Sequence, residues 1–363
     1  MDPLRNGRAV EACRATARLG ADALVVSSLP NVFYLCGFTG SNALLILLQE
    51  SLHLFTDGRY TLQAREEAWQ ARVHIVKGPL PEACGAFLLA RARKSALRAG
   101  FEPSHLHVSD WARLKATAGR KIRWKAAAGL VEGLREVKTS AELDVMRQAA
   151  KLGSEVMAEA MEWIRPGVTE LDVAAEIDYH MRRKGASGPS FDTIVASGPR
   201  SALPHARPTA KRLQKRELVV LDLGAILDRY CSDLTRTVYL GRAPAKVRRL
   251  YQAVARAQQA ALEALTVGVT TGTVDRAARG VLDRCGLGHY FTHSTGHGLG
   301  IEVHESPRIG RAQKYEIRAG NVVTLEPGIY IEGVGGIRIE DDVAVHSTSA
   351  EVLTSAPRGL LEI

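Results

Sequence analysis

Residues 218–238 have the sequence LVVLDLGAILDRYCSDLTRTV. Apolar and β-branched residues alternate on both sides of Asp228 and Arg229, which predicts two strands joined by a tight turn. Counting outward from that turn, we expect Asp222 and Asp233 to lie opposite each other on one face of the hairpin. Two carboxylates in apolar strands repel each other unless a positive group lies between them. The stretch therefore predicts that something positively charged binds at this hairpin, with a turn-capping acid and a surface acid as the alternative.

A second predicted hairpin repeats this arrangement near the C-terminus. Glu326 in VVTLEPGIY and Glu340 in GGIRIEDDVAV are equally far from Gly333. A hairpin with its loop at Glu332 to Gly336 would therefore place these two carboxylates side by side. Four acids on two hairpins, together with one histidine, predict a site for two metal ions.

The composition is that of an ordinary globular protein. The chain has 363 residues, enough for two domains, and 46% of them are hydrophobic and 24% charged. The net charge of +9 could suggest an acidic partner, but the basic residues are spread along the chain apart from short groups such as Arg91–Lys94 and Lys211–Arg216. No nucleic-acid-binding motif accompanies them. The charge therefore predicts solvated faces rather than a nucleic-acid interface.

Cysteine usage and the N-terminal stretch predict a cytoplasmic location. Five cysteines are scattered without a Cys-x-x-Cys pair, as in a protein whose thiols stay reduced. The stretch MDPLRNGRAVEACRATARLG has no apolar core, so we do not expect a signal peptide. The longest apolar run, Ala43 to Leu48, is too short to span a bilayer. We therefore expect no membrane partner.

The order of predicted elements separates two domains. Residues 1–125 alternate helices with strands, which are expected at ALVVSS, NVFYLCG, ALLILL and SLHLFT, as in a small α/β domain. A linker is expected over residues 126–138. The sequence Thr139-Ser-Ala-Glu142 has the form of a capping box. It predicts that the second domain, residues 139–363, opens with a long helix.

The second domain contains an internal repeat. A helix, a Gly-Val-Thr turn, a second helix and a glycine stop follow each other twice, with the turns at Gly167 and Gly268 offset by 101 positions. Each copy is followed by one of the two hairpins that carry acids. We therefore expect an α+β domain built from two copies of one αα-ββ unit.

The stretch YFTHSTGHGLGIEVHES, residues 290–306, contains three histidines. His293 and His297 have the spacing of a helical zinc pair, but the glycines around them disfavour a helix, and no His-Glu-x-x-His frame is present. Glycines allow close approach of a metal to the backbone. Gly296 and Gly298 therefore favour His297 as a ligand, with an ordinary loop or core histidine as the alternative.

Other polar residues are expected around this site. Arg338 lies two positions before Glu340, hence on the same face of its strand, where it can neutralise an acid or contact a substrate. A simple ion pair is the alternative. Thr235 shares a face with Asp233 and could hydrogen-bond a ligating carboxylate. Asp341 points the other way and is expected to be structural.

Four carboxylates and one imidazole form a ligand set for two divalent ions that prefer oxygen. The set favours Mn²⁺, while the imidazole leaves Co²⁺, Fe²⁺ and Zn²⁺ as alternatives. Two such ions would make hydroxide available at neutral pH by lowering the pKa of a bound water. The sequence therefore predicts a hydrolytic enzyme.

These motifs carry a family resemblance. In order, LDLGA, CSDLTRT, GHGLGIEVHE, TLEPGIY and GGIRIEDD resemble the metal-dependent pita-bread peptidases, in particular the Xaa-Pro aminopeptidases (aminopeptidase P) and Xaa-Pro dipeptidases (prolidases). The stretches GFTGSNALLIL and LFTDGRYTLQA resemble the smaller creatinase-type N-terminal domain that precedes this catalytic domain. The resemblance implies five metal ligands, which are Asp222, Asp233, His297, Glu326 and Glu340.

The resemblance also implies the residues that act on the substrate. His205, in SALPHARPT, would help to hold the substrate and shuttle protons, and His293 and His304 would bind around the scissile peptide. Glu326 would take or relay the proton of the attacking water. The residues expected to be catalytic are His205, His293, His304, Glu326 and Arg338. Those expected to bind substrate are His205, His293, His304, Tyr330 and Arg338.

The resemblance leaves several activities open. The FTDGRY segment and Tyr330 favour an Xaa-Pro aminopeptidase that acts on proline-containing peptides, with an Xaa-Pro dipeptidase as the alternative. Creatinase shares the fold but does not use the metal, and some peptide-binding relatives have lost the ligands. The intact ligand set counts against both of these. The resemblance further suggests a homodimer.

Overall fold

The computed structural model describes residues 3–48, 51–68, 70–92 and 96–363. The chain divides into two compact units, Met1–Arg135 and Glu136–Ile363. The division lies inside the segment expected to be a linker, whose short helix Glu132–Arg135 belongs to the first unit. None of the helices in the described ranges combines the length and the continuous hydrophobicity that crossing a bilayer requires.

The first unit is an α/β sheet with helices packed against it. Its strands are β1 (Ala23–Val26), β2 (Ala43–Leu48), β3 (Ser51–Asp57), β4 (Ala71–Val76), β5 (Leu97–Phe101) and β6 (Ile122–Ala126). Their order is β4-β3-β2-β1-β5-β6, and β2 runs antiparallel to both of its neighbours while the other pairs are parallel. Its helices are α1 (Pro3–Arg18), α2 (Leu29–Cys36), α3 (Thr61–Glu67), α4 (Leu80–Arg91), α5 (Val108–Ala118) and α6 (Glu132–Arg135), with a 3-10 helix at Gly58–Tyr60.

The strand expected at NVFYLCG is instead the helix α2, so that prediction is wrong. Pro30 lies in the first turn of α2, where a missing N–H group costs nothing. Gly37 ends the helix in the left-handed conformation, with φ of 82°, and its N–H donates to the carbonyl of Phe33. Five of the eight helical residues are buried. The segment therefore lacks the exposed polar stripe that distinguishes a surface helix from a strand in a sequence.

The second unit contains four long helices and fourteen short strands among its residues. The helices are α7 (Ser140–Trp163), α8 (Glu170–Arg183), α9 (Ala245–Ala264) and α10 (Thr271–Arg284), with 3-10 helices at Gly198–Ala202 and Gly288–Tyr290. The strands are β7 (Gly188–Pro189), β8 (Ile194–Ser197), β9 (Leu218–Leu223), β10 (Ala225–Leu227), β11 (Tyr230–Cys231), β12 (Leu234–Tyr239), β13 (Gly296–Gly298), β14 (Glu305–Ile309), β15 (Val322–Leu325), β16 (Gly328–Ile331), β17 (Gly335–Arg338), β18 (Asp341–Val345), β19 (Ala350–Val352) and β20 (Leu361–Glu362). They form sheets with the orders β20-β12-β9-β8, β14-β13-β15-β18-β19, β11-β10-β7 and β16-β17.

The internal repeat is confirmed by the structure of the second unit. Helices α8 and α10 begin 101 positions apart, and the threonine before each one forms an isolated β-bridge with a later segment: Thr169 with Arg212, and Thr270 with Glu316. One hydrophobic core packs α7 and α8 against β9 and β12, and a second packs α9 and α10 against β15 and β18. The predicted capping box at Thr139 and Glu142 opens α7.

The first hairpin turns over two residues. Leu227 pairs with Tyr230, and between them Asp228 and Arg229 have φ of 44° and 74°. Positive φ at both central residues is the signature of a type I′ turn, whose twist matches that of the strands. The turn therefore fixes the register of every residue pair above it.

This register corrects the expected pairing of the two aspartates. Asp222 on β9 pairs with Thr235 on β12, not with Asp233, because a two-residue turn pairs residues at equal distances from its centre. Asp233 precedes β12, outside the ladder, and its N–H donates to the side chain of Asp342. The two aspartates are thus diagonal neighbours rather than direct partners.

The second hairpin has the expected register. The ladders of β15 with β18 and of β16 with β17 share one register, so Glu326 and Glu340, which lie between the ladders, stand at matching positions. The connecting loop is Glu332–Val334, which is shorter than expected because Ile331 pairs with Gly335. The second hairpin therefore brings its two acids to the same level of the sheet.

Candidate metal centre

Three predicted ligands converge in the second unit. Single ligand atoms of Asp233, His297 and Glu340 all lie within 4.8 Å of one another. Nε2 of His297 is 3.7 Å from Oδ2 of Asp233 and 3.6 Å from Oε1 of Glu326. Asp233 lies between β11 and β12, His297 lies in β13, and the two glutamates lie between the ladders of the second hairpin. Segments far apart in the sequence thus point their donors at one place.

His297 presents an unprotonated nitrogen to this cluster. Its Nδ1 lies 3.0 Å from the carbonyl oxygen of Gly298, a contact in which Nδ1–H donates. Nε2 then carries the lone pair, which is the form that ligates a metal. Burial lowers the pKa of His297 to about 4, so the ring is neutral near pH 7.

Asp222 is held by Arg338. Nη2 of Arg338 donates to Oδ2 of Asp222 over 2.7 Å, and both side chains are buried. The other oxygen, Oδ1, is buried, as is Oδ1 of Asp233, and neither accepts a hydrogen bond from any residue that the structure describes. A buried carboxylate oxygen without a donor is costly, so both atoms call for a partner from outside the chain.

The carboxylates repel one another strongly. Burial, followed by the negative charges of Glu340 and Asp222, raises the pKa of Asp233 well above its ordinary value. Burial, followed by the negative charges of Glu326 and Asp222, also raises the pKa of Glu340 well above its ordinary value. Burial also raises the pKa of Glu326 to about 8, although the positive charge of Arg338 acts in the opposite direction. The protein alone therefore does not balance the charge of this cluster.

A divalent cation fits these residues. The donors are carboxylate oxygens and one neutral imidazole, with two orphaned oxygens among them. Oxygen donors suit Mg²⁺ and Mn²⁺, while an added imidazole also suits Fe²⁺, Co²⁺ and Zn²⁺. A cation would pair with the buried oxygens and remove the repulsion that raises the carboxylate pKa values.

Two threonines hydrogen-bond residues of the predicted ligand set. Thr235 Oγ1 donates to Oε2 of Glu340 over 2.5 Å, as its predicted position on that face allows. Thr324 accepts the N–H of His297 at its Oγ1, and its side chain also hydrogen-bonds Glu326. Such outer contacts orient the donors before an ion binds.

A hydrogen-bonded chain connects Arg338 to His293. Nη1 of Arg338 donates to the Tyr330 hydroxyl over 2.7 Å, and this hydroxyl lies 2.8 Å from Nε2 of His293. Nδ1 of His293 donates to the carbonyl of Ser294, so Nε2 is the acceptor for Tyr330. Burial, followed by the charge of Arg338, lowers the pKa of His293 to about 4. The chain therefore holds His293 as a neutral imidazole beside Glu326, whose Oε2 is 3.9 Å from Nδ1.

The other two predicted histidines are exposed at the edge of the cluster. The ring of His304 lies edge-on to that of His297, with 4.4 Å between the centroids. Partial burial of the ring, followed by the charge of His205, lowers the pKa of His304. Both imidazoles are accessible to a bound molecule.

The glycines around His297 have a packing role that was not expected. A Cβ atom at Gly296 would collide with the backbone oxygen of Thr324, and one at Gly298 with that of Ser306. These glycines therefore allow β13 to pack closely between β14 and β15. They position His297 through the packing of the sheet.

Several residues of the site were not predicted from the sequence. Asp342 accepts the N–H of Asp233, and its position two residues after Glu340 was the only sequence signal. On α10, Asp275 accepts the hydroxyl of Thr295, and Arg279 donates to the carbonyl of His293. This helix therefore holds the loop that precedes His297.

The expected orientation of Asp341 is confirmed. Asp341 faces away from the cluster and pairs with Arg236 over 2.8 Å, so its role is structural as expected. It also accepts hydrogen bonds from Gln258 and Thr354. Glu340 and Asp342 thus face the cluster, while Asp341, which lies between them in the sequence, faces away from it.

Comparison with known proteins identifies both units. The family model of metallopeptidase family M24 matches residues 144–347, more than half of the chain. The creatinase/prolidase N-terminal domain matches residues 10–137. Among curated relatives, the Xaa-Pro dipeptidase of Pyrococcus horikoshii is 35% identical over 341 residues, which are 94% of each chain.

Solved structures share the whole architecture. An Xaa-Pro dipeptidase from Bacillus anthracis has a TM-score of 0.94 and 34% identity, covering 99% of this chain and 100% of that one. The X-Pro aminopeptidase from Thermotoga maritima has a TM-score of 0.88 and 35% identity, covering 96% and 100%. These matches confirm the expected α+β pita-bread domain preceded by a smaller α/β creatinase-type domain.

The fold and the site together define a metal-dependent hydrolase with a creatinase-type N-terminal domain. The chain belongs to metallopeptidase family M24. Membership implies divalent metal ions in the carboxylate and histidine cluster, which agrees with the donors that the cluster offers.

Proposed function

We propose that this protein is an Xaa-Pro dipeptidase, which hydrolyses the bond between an N-terminal residue and a following proline. The observation that carries the proposal is the convergence of acids with orphaned oxygens and a neutral imidazole, in a chain of family M24. The relatives with matching length and fold from Pyrococcus horikoshii and Bacillus anthracis are Xaa-Pro dipeptidases.

Five side chains would hold two divalent ions. They are Asp222, Asp233, His297, Glu326 and Glu340. Such ions activate water for attack and polarise the carbonyl that is attacked. We propose Mn²⁺ because four of the five ligands are carboxylates.

The remaining residues would handle the proton and the substrate. Glu326 accepts the proton of the attacking water and passes it to the leaving proline nitrogen. The exposed imidazoles of His205 and His304 donate hydrogen bonds to the substrate and to the oxygen that gains charge in the transition state. His293 stays neutral beside Glu326 because burial and the charge of Arg338 lower its pKa, and its Nε2 lies 2.8 Å from the Tyr330 hydroxyl.

Dipeptidase activity is supported better than the aminopeptidase activity favoured by the FTDGRY segment and Tyr330. The relatives favour the dipeptidase, since Xaa-Pro dipeptidases from Pyrococcus furiosus and Pyrococcus horikoshii are among them. The aminopeptidase stays a second candidate because the Thermotoga maritima structure, an X-Pro aminopeptidase, matches nearly the whole chain.

The length of the substrate separates the two candidates. We expect the manganese-loaded protein to hydrolyse Ala-Pro and to leave Ala-Pro-Ala largely intact, because a dipeptidase closes the site beyond the proline. Release of free alanine from each peptide measures this directly. Equal or faster hydrolysis of Ala-Pro-Ala would contradict the dipeptidase proposal in favour of the aminopeptidase. Hydrolysis of neither peptide would contradict both.

A further inference from the structure

The loop that carries His205 is anchored by one fully buried carboxylate. We call residues 197–209 the His205 loop. Glu170, the first residue of α8, is 0% exposed, and its two oxygens accept five hydrogen bonds, all from this loop. The donors are Ser197 N and Ser197 Oγ to Oε1, at 2.9 and 2.8 Å, and Arg200 Nε, Thr209 N and Thr209 Oγ1 to Oε2, at 3.1, 3.1 and 2.8 Å.

These bonds join the two ends of the His205 loop. Ser197 and Thr209 are its first and last residues, so Glu170 closes the loop at its base. Arg200 adds a second connection across the loop, because its Nη2 donates to the carbonyl of Arg207 over 2.6 Å. Hydrogen bonds therefore connect the two sides of the loop at its base, through Glu170, and again nearer its tip, between Arg200 and Arg207.

The tip of the His205 loop reaches the metal cluster. Nη1 of Arg338 donates to the carbonyl of Pro204 over 3.2 Å, and Arg338 also binds Asp222. Ser201 Oγ accepts the N–H of Gly336 on β17. The residues that project from the tip are Leu203, which is 53% exposed, and His205. The place of His205 is thus set from the cluster on one side and by Glu170 on the other.

Glu170 is not needed to begin its own helix. The N-terminus of α8 is closed by Thr169 and Asp172, whose side chains and N–H groups satisfy each other in a capping box. Burying a carboxylate is expensive unless several donors compensate it. All of the hydrogen bonds that compensate the buried Glu170 carboxylate come from the His205 loop. Glu170 therefore stabilises the conformation of this loop rather than the start of α8.

We propose that Glu170 is the positioning residue for His205, holding the loop so that the imidazole meets the substrate at the metal cluster. The proposal rests on the proposed function, in which His205 contacts the substrate. Glu170 touches neither the substrate nor the cluster, so it acts through the geometry of the loop alone. Misplacement of such a group by about 1 Å is enough to cost about 100-fold in rate.

The test compares Glu170→Gln with Asp172→Ala in the full-length, manganese-loaded protein. An amide at position 170 presents an NH₂ group to at least one of the loop N–H donors, so one end of the loop is released. Asp172→Ala is the matched control, because it weakens the cap of the same helix without touching the loop. We expect Glu170→Gln to lower kcat/KM for Ala-Pro about 10- to 100-fold, and to raise amide hydrogen exchange within residues 197–209. We expect Asp172→Ala to change neither.

A double variant with His205→Ala shows whether the effect passes through His205. If it does, adding Glu170→Gln to His205→Ala lowers kcat/KM little further. Independent, multiplicative losses overturn the proposal, as does unchanged exchange in residues 197–209 or an equal loss in Asp172→Ala. In each of these cases wild-type hydrolysis of Ala-Pro is normal. A wild type that does not hydrolyse Ala-Pro overturns the proposed function as well, so the two failures are distinguishable.

Discussion

Arg338 shows why the cluster requires a cation from outside the chain. It is buried and is committed to Asp222, Tyr330 and the carbonyl of Pro204. One guanidinium cannot balance Asp222 together with Asp233, Glu326 and Glu340. The raised pKa values of the last three express this imbalance. A sequence can show that an arginine and several acids share strands, but the charge balance follows only from their distances.

In the first unit, His53 on β3 is a buried titratable group that packs against His74 on β4. The two rings share a hydrogen bond of 3.0 Å between Nδ1 and Nε2. Burial, followed by the charges of His74, Arg91 and Arg72, lowers the pKa of His53 from 6.5 to about 4. Unfolding lets this residue take up a proton below its ordinary pKa. The contribution of the neutral, buried His53 to the free energy of unfolding is therefore complete above about pH 6.5 and is lost as the pH falls toward 4.

We predict that His53→Gln makes the unfolding free energy less dependent on pH. The difference in unfolding free energy between wild type and variant should narrow by about 1–2 kcal/mol from pH 7 to pH 5, because glutamine does not titrate. Urea denaturation of both proteins at the two pH values measures this. Parallel pH dependence of wild type and variant would show that the pair does not titrate as described.

At the scale of elements, the strand β13 depends on having no side chains at its two ends. Gly298 lies so close to β14 that a Cβ atom would meet the backbone of Glu305 and Ser306. Backbone atoms cannot give way as a flexible side chain can. The strand that carries His297 would therefore have to shift.

We predict that Gly298→Ala destabilises the protein by about 1–3 kcal/mol, as overpacking does elsewhere. Gly280→Ala is the matched control in the same unit. It lies inside α10, where an added Cβ meets only the flexible side chain of Arg284, and alanine favours helix by about 0.5–1 kcal/mol. Thermal unfolding should show opposite shifts of Tm. A stable Gly298→Ala protein would contradict the close packing described for β13.

The elements also show what the sequence could predict. The repeat, the capping box and the register of the second hairpin follow from local patterns, because turns, caps and alternation act over a few residues. The helix α2 was missed because burial on most of its sides removed the polar stripe. The pairing of Asp222 was missed because an error of one residue in placing the turn centre shifts its partner by two positions.

The contacts that position the site could not be predicted in this way. Glu170 meets Thr209 across 39 positions, and Asp233 meets Asp342 across 109. No local period connects such residues, so only the folded chain brings them together. The same holds for His205, whose sequence context indicated only irregular structure.

At the scale of the whole catalytic unit, the duplication explains how the site is assembled. The first αα-ββ copy supplies Asp222 and Asp233, and the second supplies His297, Glu326 and Glu340. Neither copy alone holds all five of the proposed metal ligands. The repeated fold therefore places two similar acid-bearing hairpins around one centre.

The central claim, that these acids converge to hold divalent cations, is tested most directly by calorimetric titration of metal-free protein with Mn²⁺. We predict saturable binding of two ions per chain, and loss of this binding together with Ala-Pro hydrolysis in Asp233→Asn. The metal-free variant should remain folded with a Tm no lower than that of the metal-free wild type, because an amide removes one of the repelling charges. Wild-type protein that binds no Mn²⁺, or an Asp233→Asn variant that binds it equally well, would contradict the claim.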